Sequence, residues 1–278
     1  VQDLSVIDIL YFKKDAIELL VLSRFPRLIS VIVTGVGMSI SGLIMQQISR
    51  NKFVSPTTAS TVDSARLGVL VSMLLFTHVS VFGRMIVSFA FSLLGTFIFM
   101  FMLRKLKFKN IIFVPLIGIM FGNLIDSITT FFAYRYDLIQ TINAMMVGDF
   151  SLIIKGRYEL LLITLPLVVL AFLYANKFTI AGMGEDFSKN LGLNYNLVIN
   201  IGLIIVSLVT ASVLVTVGSI PYLGLIVPNI ISIYHGDNLR KTIWKTALFG
   251  AIFLLLSDIL CRVIIFPYEL SIGLMVGV

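Results

Sequence analysis

The feature that most constrains this chain is an uncharged apolar run over residues 28–48, long enough to cross a bilayer as a helix. About 20 helical residues cover the roughly 30 Å of a hydrocarbon core. Inside the run, Gly35 and Ser39, and likewise Gly37 and Ser41, are pairs of small residues separated by one helical turn. Such pairs let helix backbones approach closely in lipid. The run therefore predicts a membrane helix packed against several neighbours.

Seven further apolar runs follow, so the sequence predicts eight membrane spans and the start of another. The chain is 58% hydrophobic and only 13% charged, with a mean hydropathy of +1.04. A soluble domain has about 25% charged residues, so this chain needs lipid as its solvent. The predicted fold class is all-α, a polytopic membrane protein forming one domain over residues 1–278. The predicted spans are 28–48, 65–76, 82–103, 114–133, 158–175, 197–215, 220–234 and 245–265, with a last one from residue 272.

The net charge of +7 lies mostly between the apolar runs, where anionic lipid headgroups attract it. We therefore predict a lipid bilayer, and not nucleic acid, as the partner of these basic residues. The densest basic cluster, from Arg104 to Lys109, follows the third span and marks the cytoplasmic side by the positive-inside rule. Counting spans from there places residues 49–64, 176–196 and 235–241 inside, and residues 134–157 and 266–271 outside.

Several kinds of site are missing from the sequence. Cys261 is the one cysteine, so no internal disulfide forms, and His78 and His235 are far apart. No Cys/His cluster has the spacing of a metal site, and we predict neither a metal site nor a cofactor. The sequence contains no phosphate-binding GxxxxGK[ST] loop, no HExxH and no GxSxG. A membrane enzyme is therefore disfavoured, and any energy for uphill transport comes from another protein.

Three arginines lie at the predicted outer face: Arg24, Arg27 and Arg262. Arginines at this depth either anchor the chain to lipid headgroups or bind carboxylates of an acidic protein partner. Asp258 lies one helical turn before Arg262, so these two residues can neutralise each other at the membrane edge.

Asp126 lies in the middle of a predicted span, among Asn123, Ser127 and Thr129. A carboxylate at this depth is a functional candidate, for example as the relay of an ion- or proton-coupled secondary transporter. It can equally face a wet pathway or bind a neighbouring helix.

The inner loop from Gly182 to Asn196 predicts a short helix over residues 185–191, entered at Gly184 and ended by Gly192. A stiff helix between two spans suits mechanical contact with a soluble partner, although a plain solvated loop would read similarly. A second pattern links GLIMQQI, starting at Gly42, with GLIVPNI, starting at Gly224. Either an internal repeat or chance explains this similarity.

The order RFPR, GVGMSISGLIMQQISRNKFVSP, MGEDFSKNLGLN, GSIPYLGLIVPNI, LLLSDILCR and PYELSIG resembles the FecCD-type permease family. These proteins are membrane subunits of ATP-binding-cassette (ABC) importers for iron–siderophore complexes, haem and cobalamin. The resemblance implies a type II permease fold of about ten helices. The first family helix is then expected before Val1, and the tenth is truncated after residue 272. Expected partners are a second permease subunit, identical or different, two cytoplasmic ATPases and an extracytoplasmic siderophore-binding protein.

The resemblance also implies roles for individual residues. Arg24, Arg27 and Arg262 match the arginines that receive glutamates of the binding protein. The inner gate matches Asn110, Ile111 and Ile112, and the apolar Ile111 and Ile112 lie where some relatives have small hydroxyl residues. The residues implied to contact the ATPase are Gly184, Glu185, Asp186, Phe187, Leu191 and Gly192.

The segment NKFVSPTTASTVDSARLG is similar to the branch that handles catecholate-type siderophores. The expected function is therefore a non-enzymatic permease subunit that moves a ferric siderophore across a bacterial cytoplasmic membrane. The alternative from another class is the secondary transporter that uses Asp126.

Overall fold

The structure is a computed structural model that describes residues 20–76, 80–105, 112–151, 153, 156, 158–265 and 268–277. Apart from an isolated bridge between Val147 and Ser219, the regular structure of these residues is helical, which confirms the all-α prediction. A π-helical turn, Leu20–Arg24, and a 3₁₀ turn, Tyr158–Ile163, precede two of the helices. The α-helices are α1 (Phe25–Ser49), α2 (Thr61–Leu75), α3 (Val81–Lys105), α4 (Phe113–Arg135), α5 (Ile139–Met146), α6 (Thr164–Gly182), α7 (Glu185–Asn190), α8 (Tyr195–Thr216), α9 (Leu223–His235), α10 (Leu239–Val263) and α11 (Ile272–Gly277).

Within the described residues, six helical segments are long and apolar enough to cross a membrane. They are α3, α4, α8 and α10, and α1 and α6 together with the turns that precede them. The multi-pass membrane protein predicted from the sequence is thereby confirmed. Two of the eight predicted spans coincide with helices that are shorter than the other six. Helices α2 and α9 lie where spans were predicted but have only 15 and 13 residues.

Both helices are short because the backbone before them leaves the helical conformation. Ser60 and Tyr222, directly ahead of α2 and α9, have φ angles of 58° and 61°, in the left-handed region. Before α2, the Thr58 hydroxyl donates to the Phe53 carbonyl at 3.0 Å and accepts from the Ser55 backbone N–H at 2.8 Å. Side-chain hydrogen bonds of this kind compete with helix formation. An apolar pattern does not report them.

Helix α1 is largely buried, and its glycines account for how closely other helices approach it. A Cβ atom on Gly35 would lie 2.5 Å from the carbonyl oxygen of Gly250 in α10. A Cβ atom on Gly42 would overlap the backbone of Gly224 in α9. A Cβ atom on Gly37 would lie 2.5 Å from the Thr164 side chain at the start of α6. The close helix packing predicted from the small residues of this run is confirmed.

The two similar segments that start at Gly42 and Gly224 therefore contact each other. They also make reciprocal hydrogen bonds beyond the crossing. Gln47 of α1 donates its amide N–H to the carbonyl of Asp237, which follows α9, at 3.3 Å. Asn229 of α9 donates to the carbonyl of Lys52, which follows α1, at 3.0 Å. Each helix thus donates a hydrogen bond to the loop that follows the other helix.

These contacts define two ends of the bundle. The hairpin end contains the C-terminal ends of α1, α6 and α9, together with the loops after them. The arginine end contains the start of α1 and the end of α10. Near the arginine end, the Ser219 backbone N–H donates to the Met146 carbonyl at 3.2 Å. The Ile272 backbone N–H donates to the Gly148 carbonyl at 3.1 Å. These bonds connect the loops before α9 and α11 to the segment after α5, so non-helical backbone finds partners inside the protein.

Replacing Gly42 by alanine tests the α1–α9 crossing. The new methyl group would overlap backbone atoms of Gly224, which cannot move aside by changing a rotamer. We expect the free energy of unfolding to fall by about 1–3 kcal/mol, as for other overpacked sites. Because Cys261 is the sole cysteine and is buried, a thiol-reactive fluorophore reports unfolding directly.

Gly273→Ala is the matched control, since its Cβ atom would find its nearest neighbour at an ordinary 3.5 Å. Equal stability of the Gly42→Ala and Gly273→Ala variants would contradict the role of this crossing.

Candidate functional site at the two ends of the bundle

At the arginine end, Arg27 at the start of α1 is held by two carboxylates. Its Nη2 atom lies 2.8 Å from Asp258 Oδ1 in α10, and its Nε atom donates to the same oxygen at 3.3 Å. Its Nη1 atom lies 2.8 Å from Glu269 Oε2, in the segment before α11. The Arg27 side chain is 11% exposed, so the pair with Asp258 is largely shielded from water.

Asp258 also accepts from Arg262, one turn later in α10, which confirms the pairing predicted from their spacing. Two of the three arginines singled out in the sequence therefore share one carboxylate. The third, Arg24, precedes α1 and is exposed. Glu269 is a residue that sequence reasoning missed. The usable sequence feature was that Glu269 is an isolated acidic residue in a loop predicted to lie on the same face of the membrane as Arg27.

The Asp126 carboxylate has an ion-pair partner in a neighbouring helix. Arg66 of α2 pairs with its carboxylate through Nη1 and donates through Nη2 to Asn143 of α5 at 2.9 Å. Of the two alternatives to a relay, the structure thus shows a bond to a neighbouring helix. Sequence reasoning missed Arg66 as the partner, although an opposite charge in an adjacent span was a usable signal.

At the hairpin end, α7 forms the short helix predicted there. Gly184 enters it with φ 120°, and Gly192 leaves it with φ 73°, so both glycines occupy conformations that disfavour other residues. The buried Ser188 hydroxyl donates to the Gly184 carbonyl at 2.6 Å. Asn194 then caps α8 by accepting from the Leu197 backbone N–H at 3.1 Å.

The outer surface of α7 is exposed and mixed in character. Glu185 pairs with Lys189 at 2.9 Å, and the hydrogen bond and charge of Glu185 raise the pKa of the Lys189 ammonium. Phe187 and Leu191 are exposed apolar side chains, and Asp186 is exposed beside them. An exposed aromatic side chain is typical of protein contact surfaces.

The loops after α1 and α9 meet through a charged pair. Lys52 Nζ lies 2.9 Å from Asp237 Oδ1, and it also donates to the Ser232 hydroxyl at 2.9 Å. Burial acts to raise the pKa of Asp237. The hydrogen bonds from Ser232 and Lys52 and the charge of Lys52 outweigh it, so this pKa lies below its ordinary value.

The predicted gate is only partly visible. Asn110 and Ile111 lie outside the described residues, and Ile112 is exposed directly before α4. Among the described residues, no group of three or more His, Cys, Asp or Glu side chains could hold a metal ion.

Replacing Asp258 by asparagine tests the ion pair at the arginine end. The change leaves Arg27 buried without its main counter-charge, which typically costs about 3–5 kcal/mol of unfolding free energy. Glu269→Gln is the matched control, because that carboxylate is 39% exposed and surface pairs contribute about 1 kcal/mol or less. Thiol-reactive unfolding curves measure both variants, and a larger loss for Glu269→Gln would contradict the assignment.

The chain matches the profile of the FecCD transport family over residues 3–278. It is 60% identical to the petrobactin import system permease protein YclN of Bacillus subtilis, over all of this chain and 88% of that protein. It is 39% identical to the ferric-anguibactin transport system permease protein FatD of Vibrio anguillarum, over 92% of this chain and 81% of that protein.

Among solved structures, the fold is similar to an inward-facing conformation of a putative metal-chelate type ABC transporter. The TM-score is 0.81 at 19% identity, covering 100% of this chain and 87% of that one. The coverage, the identities and the shared fold agree, and the chain belongs to the FecCD transport family.

Proposed function

We propose that this chain is the membrane permease subunit of an ABC importer that moves a ferric siderophore of the catecholate type across the cytoplasmic membrane. The observation that carries the proposal is the 60% identity with a petrobactin permease over the full length of this chain. The petrobactin permease FatD of Bacillus anthracis, 38% identical over 95% of this chain, supports the same substrate class. The proposal includes no catalytic residue, and a separate ATPase supplies the energy.

The arginine end is proposed to receive the extracytoplasmic siderophore-binding protein. Arg24 is exposed and would meet an incoming carboxylate first. Arg262 is partly exposed, and Arg27 is occupied by Asp258 and Glu269. A carboxylate of the binding protein would therefore exchange with the half-exposed Glu269 at Arg27, while Asp258 keeps the guanidinium in position.

A second permease subunit is proposed to cover α4. One face of this helix is buried against α2 and the turn before it, where Gly118 and Gly122 allow close approach. The opposite face exposes Asn123, Ser127 and Thr130 among apolar side chains. Polar groups facing lipid are unfavourable, so this face suits a partner subunit or a wet pathway between subunits, beside which Ile112 would lie.

The hairpin end is proposed to contact the cytoplasmic ATPase through α7. The hydrogen bonds of Ser188 and the two positive-φ glycines, Gly184 and Gly192, hold α7 in a defined position at the end of α6. Phe187 and Leu191 supply exposed apolar anchors, and Asp186 and Glu185 supply charge at the rim. This is the usual composition of a small protein interface.

The secondary transporter that uses Asp126 is less well supported. Its carboxylate is taken up by Arg66, which weakens its use as a free proton relay. The named relatives are permease subunits of import systems.

Reversing the charge of Arg24 tests the docking surface. Arg24→Glu should weaken binding of the loaded binding protein about tenfold or more, because attraction is replaced by repulsion. Uptake of radiolabelled ferric petrobactin in cells lacking their own permease should fall in parallel, and Arg24→Lys is the control that keeps the charge. Normal uptake by Arg24→Glu, or by the double variant Arg24→Glu with Arg27→Glu, would show that the arginines do not dock the partner.

Removing the aromatic ring of α7 tests the coupling surface. Phe187→Ala should reduce the ATPase rate stimulated by loaded binding protein roughly tenfold in the reconstituted complex, since a central aromatic anchor is lost. Phe101→Ala is the matched control, because it removes a similarly exposed ring from the side of α3. If both variants behave alike, α7 is not the coupling element.

A further inference from the structure

A pocket of about 450 Å³ opens at the hairpin end, next to α7 but formed by other elements. Its walls come from the ends of α1, α6 and α9 and from the start of α10. This volume is many times the ~30 Å³ that one water molecule occupies in the liquid, so a side chain with part of its backbone fits inside. Residues that line it and carry the argument below are Gln46, Arg50, Lys52, Gly182, Ser232 and Asp237.

The charged groups that line this pocket do not balance. They are Arg50, Lys52 and Asp237, and the last two pair with each other at 2.9 Å. Arg50 has no ion pair within the described part of the chain, so its positive charge is not neutralised there. Its guanidinium lies beside the entry to α7, since a Cβ atom on Gly184 would be 3.0 Å from Arg50 Nη1.

The wall of the pocket also contains a buried polar group that has no partner among the described residues. Gln46 is only 6% exposed, and its amide Nε2 atom, itself shielded from solvent, makes no hydrogen bond to any described residue. Buried polar groups are nearly always hydrogen-bonded in folded proteins, because an unmade bond is costly. An acceptor that enters the pocket meets the guanidinium of Arg50, and it reaches this N–H when the Gln46 side chain turns toward the pocket. A carboxylate offers two oxygens for these two donors.

We propose that this pocket receives the carboxylate of an aspartate or glutamate from the ATPase that contacts α7. The inference rests on the proposed function and adds a second point of attachment, distinct from the apolar surface of α7. A protein side chain is favoured over a small free anion because the pocket is large, open at the hairpin end and next to Gly184. The ATPase would thereby hold α1 as well as α7.

The test compares affinities of the purified ATPase for the full-length permease in lipid nanodiscs. Arg50→Glu should weaken binding at least about tenfold, Arg50→Lys should retain most of it, and Gln46→Leu should weaken it several-fold. Lys241→Glu is the matched control, because this exposed lysine of α10 undergoes the same change of charge outside the pocket. Thiol-reactive unfolding curves establish that each variant is folded.

A charge-swap experiment identifies the partner residue. The acidic residues of the ATPase are replaced one at a time by lysine, and one replacement should restore binding to Arg50→Glu but not to Lys241→Glu. An equal loss for Arg50→Glu and Lys241→Glu would show general attraction and overturn the inference.

Two further outcomes separate this inference from the proposed function. Unchanged affinity in the Arg50 and Gln46 variants, with weaker binding of Phe187→Ala, would overturn the pocket inference alone. Unchanged affinity in all three would also overturn the placement of the ATPase at α7. Protection of Arg50 from phenylglyoxal by inorganic phosphate alone, with ATPase affinity unaffected by Arg50→Glu, would assign the pocket to a small anion and overturn the protein contact.

Discussion

The structure depends on the close approach of α1 to α9 and α10. Lipid is as apolar as a leucine side chain, so helices in a bilayer gain little from hydrophobic burial and rely on tight van der Waals packing. Gly42 against Gly224, and Gly35 against Gly250, bring backbones into contact where any side chain would separate them. Because α9 and α10 both rest on α1, the positions of Asp258 at one end and Asp237 at the other follow from these two crossings.

Helix α1 also connects the two ends as one continuous element. Its 25 residues span about 37 Å at ~1.5 Å per residue. Arg27 lies at its start, and Gln46 and Gln47 lie near its end. The ion pair that anchors Arg27 to Asp258 is largely buried, whereas Glu269 and the Lys52–Asp237 pair are solvent-accessible. Exposed pairs break at little cost. Exchange of partners is therefore easiest at the two ends, while the central crossings stay fixed.

What the sequence predicts well here is local. The spacing of Gly35 and Ser39 predicts close helix packing, and Gly184 and Gly192 bound a short helix, because a few neighbouring residues determine these features. The contacts that build the sites join distant positions, and no local pattern reports them. Arg66 meets Asp126 across 60 residues and Arg27 meets Glu269 across 242. The left-handed turn before α2 is likewise invisible in the apolar pattern, because side-chain hydroxyls hold it.

Helices α1 and α4 differ in how much of their surface is covered by neighbours within the chain. Glycines on α1 lie close to neighbours within the chain on several sides, whereas Gly118 and Gly122 of α4 lie against α2, the turn before it and Phe99 of α3. The free face of α4 carries amide and hydroxyl groups, and the Ser127 hydroxyl satisfies itself by donating to the Asn123 carbonyl at 2.8 Å. Back-bonding of this kind makes a polar stripe tolerable until another surface covers it. Polar groups that face lipid are unfavourable, so this stripe is the feature of α4 that supports the proposed interface with a second subunit.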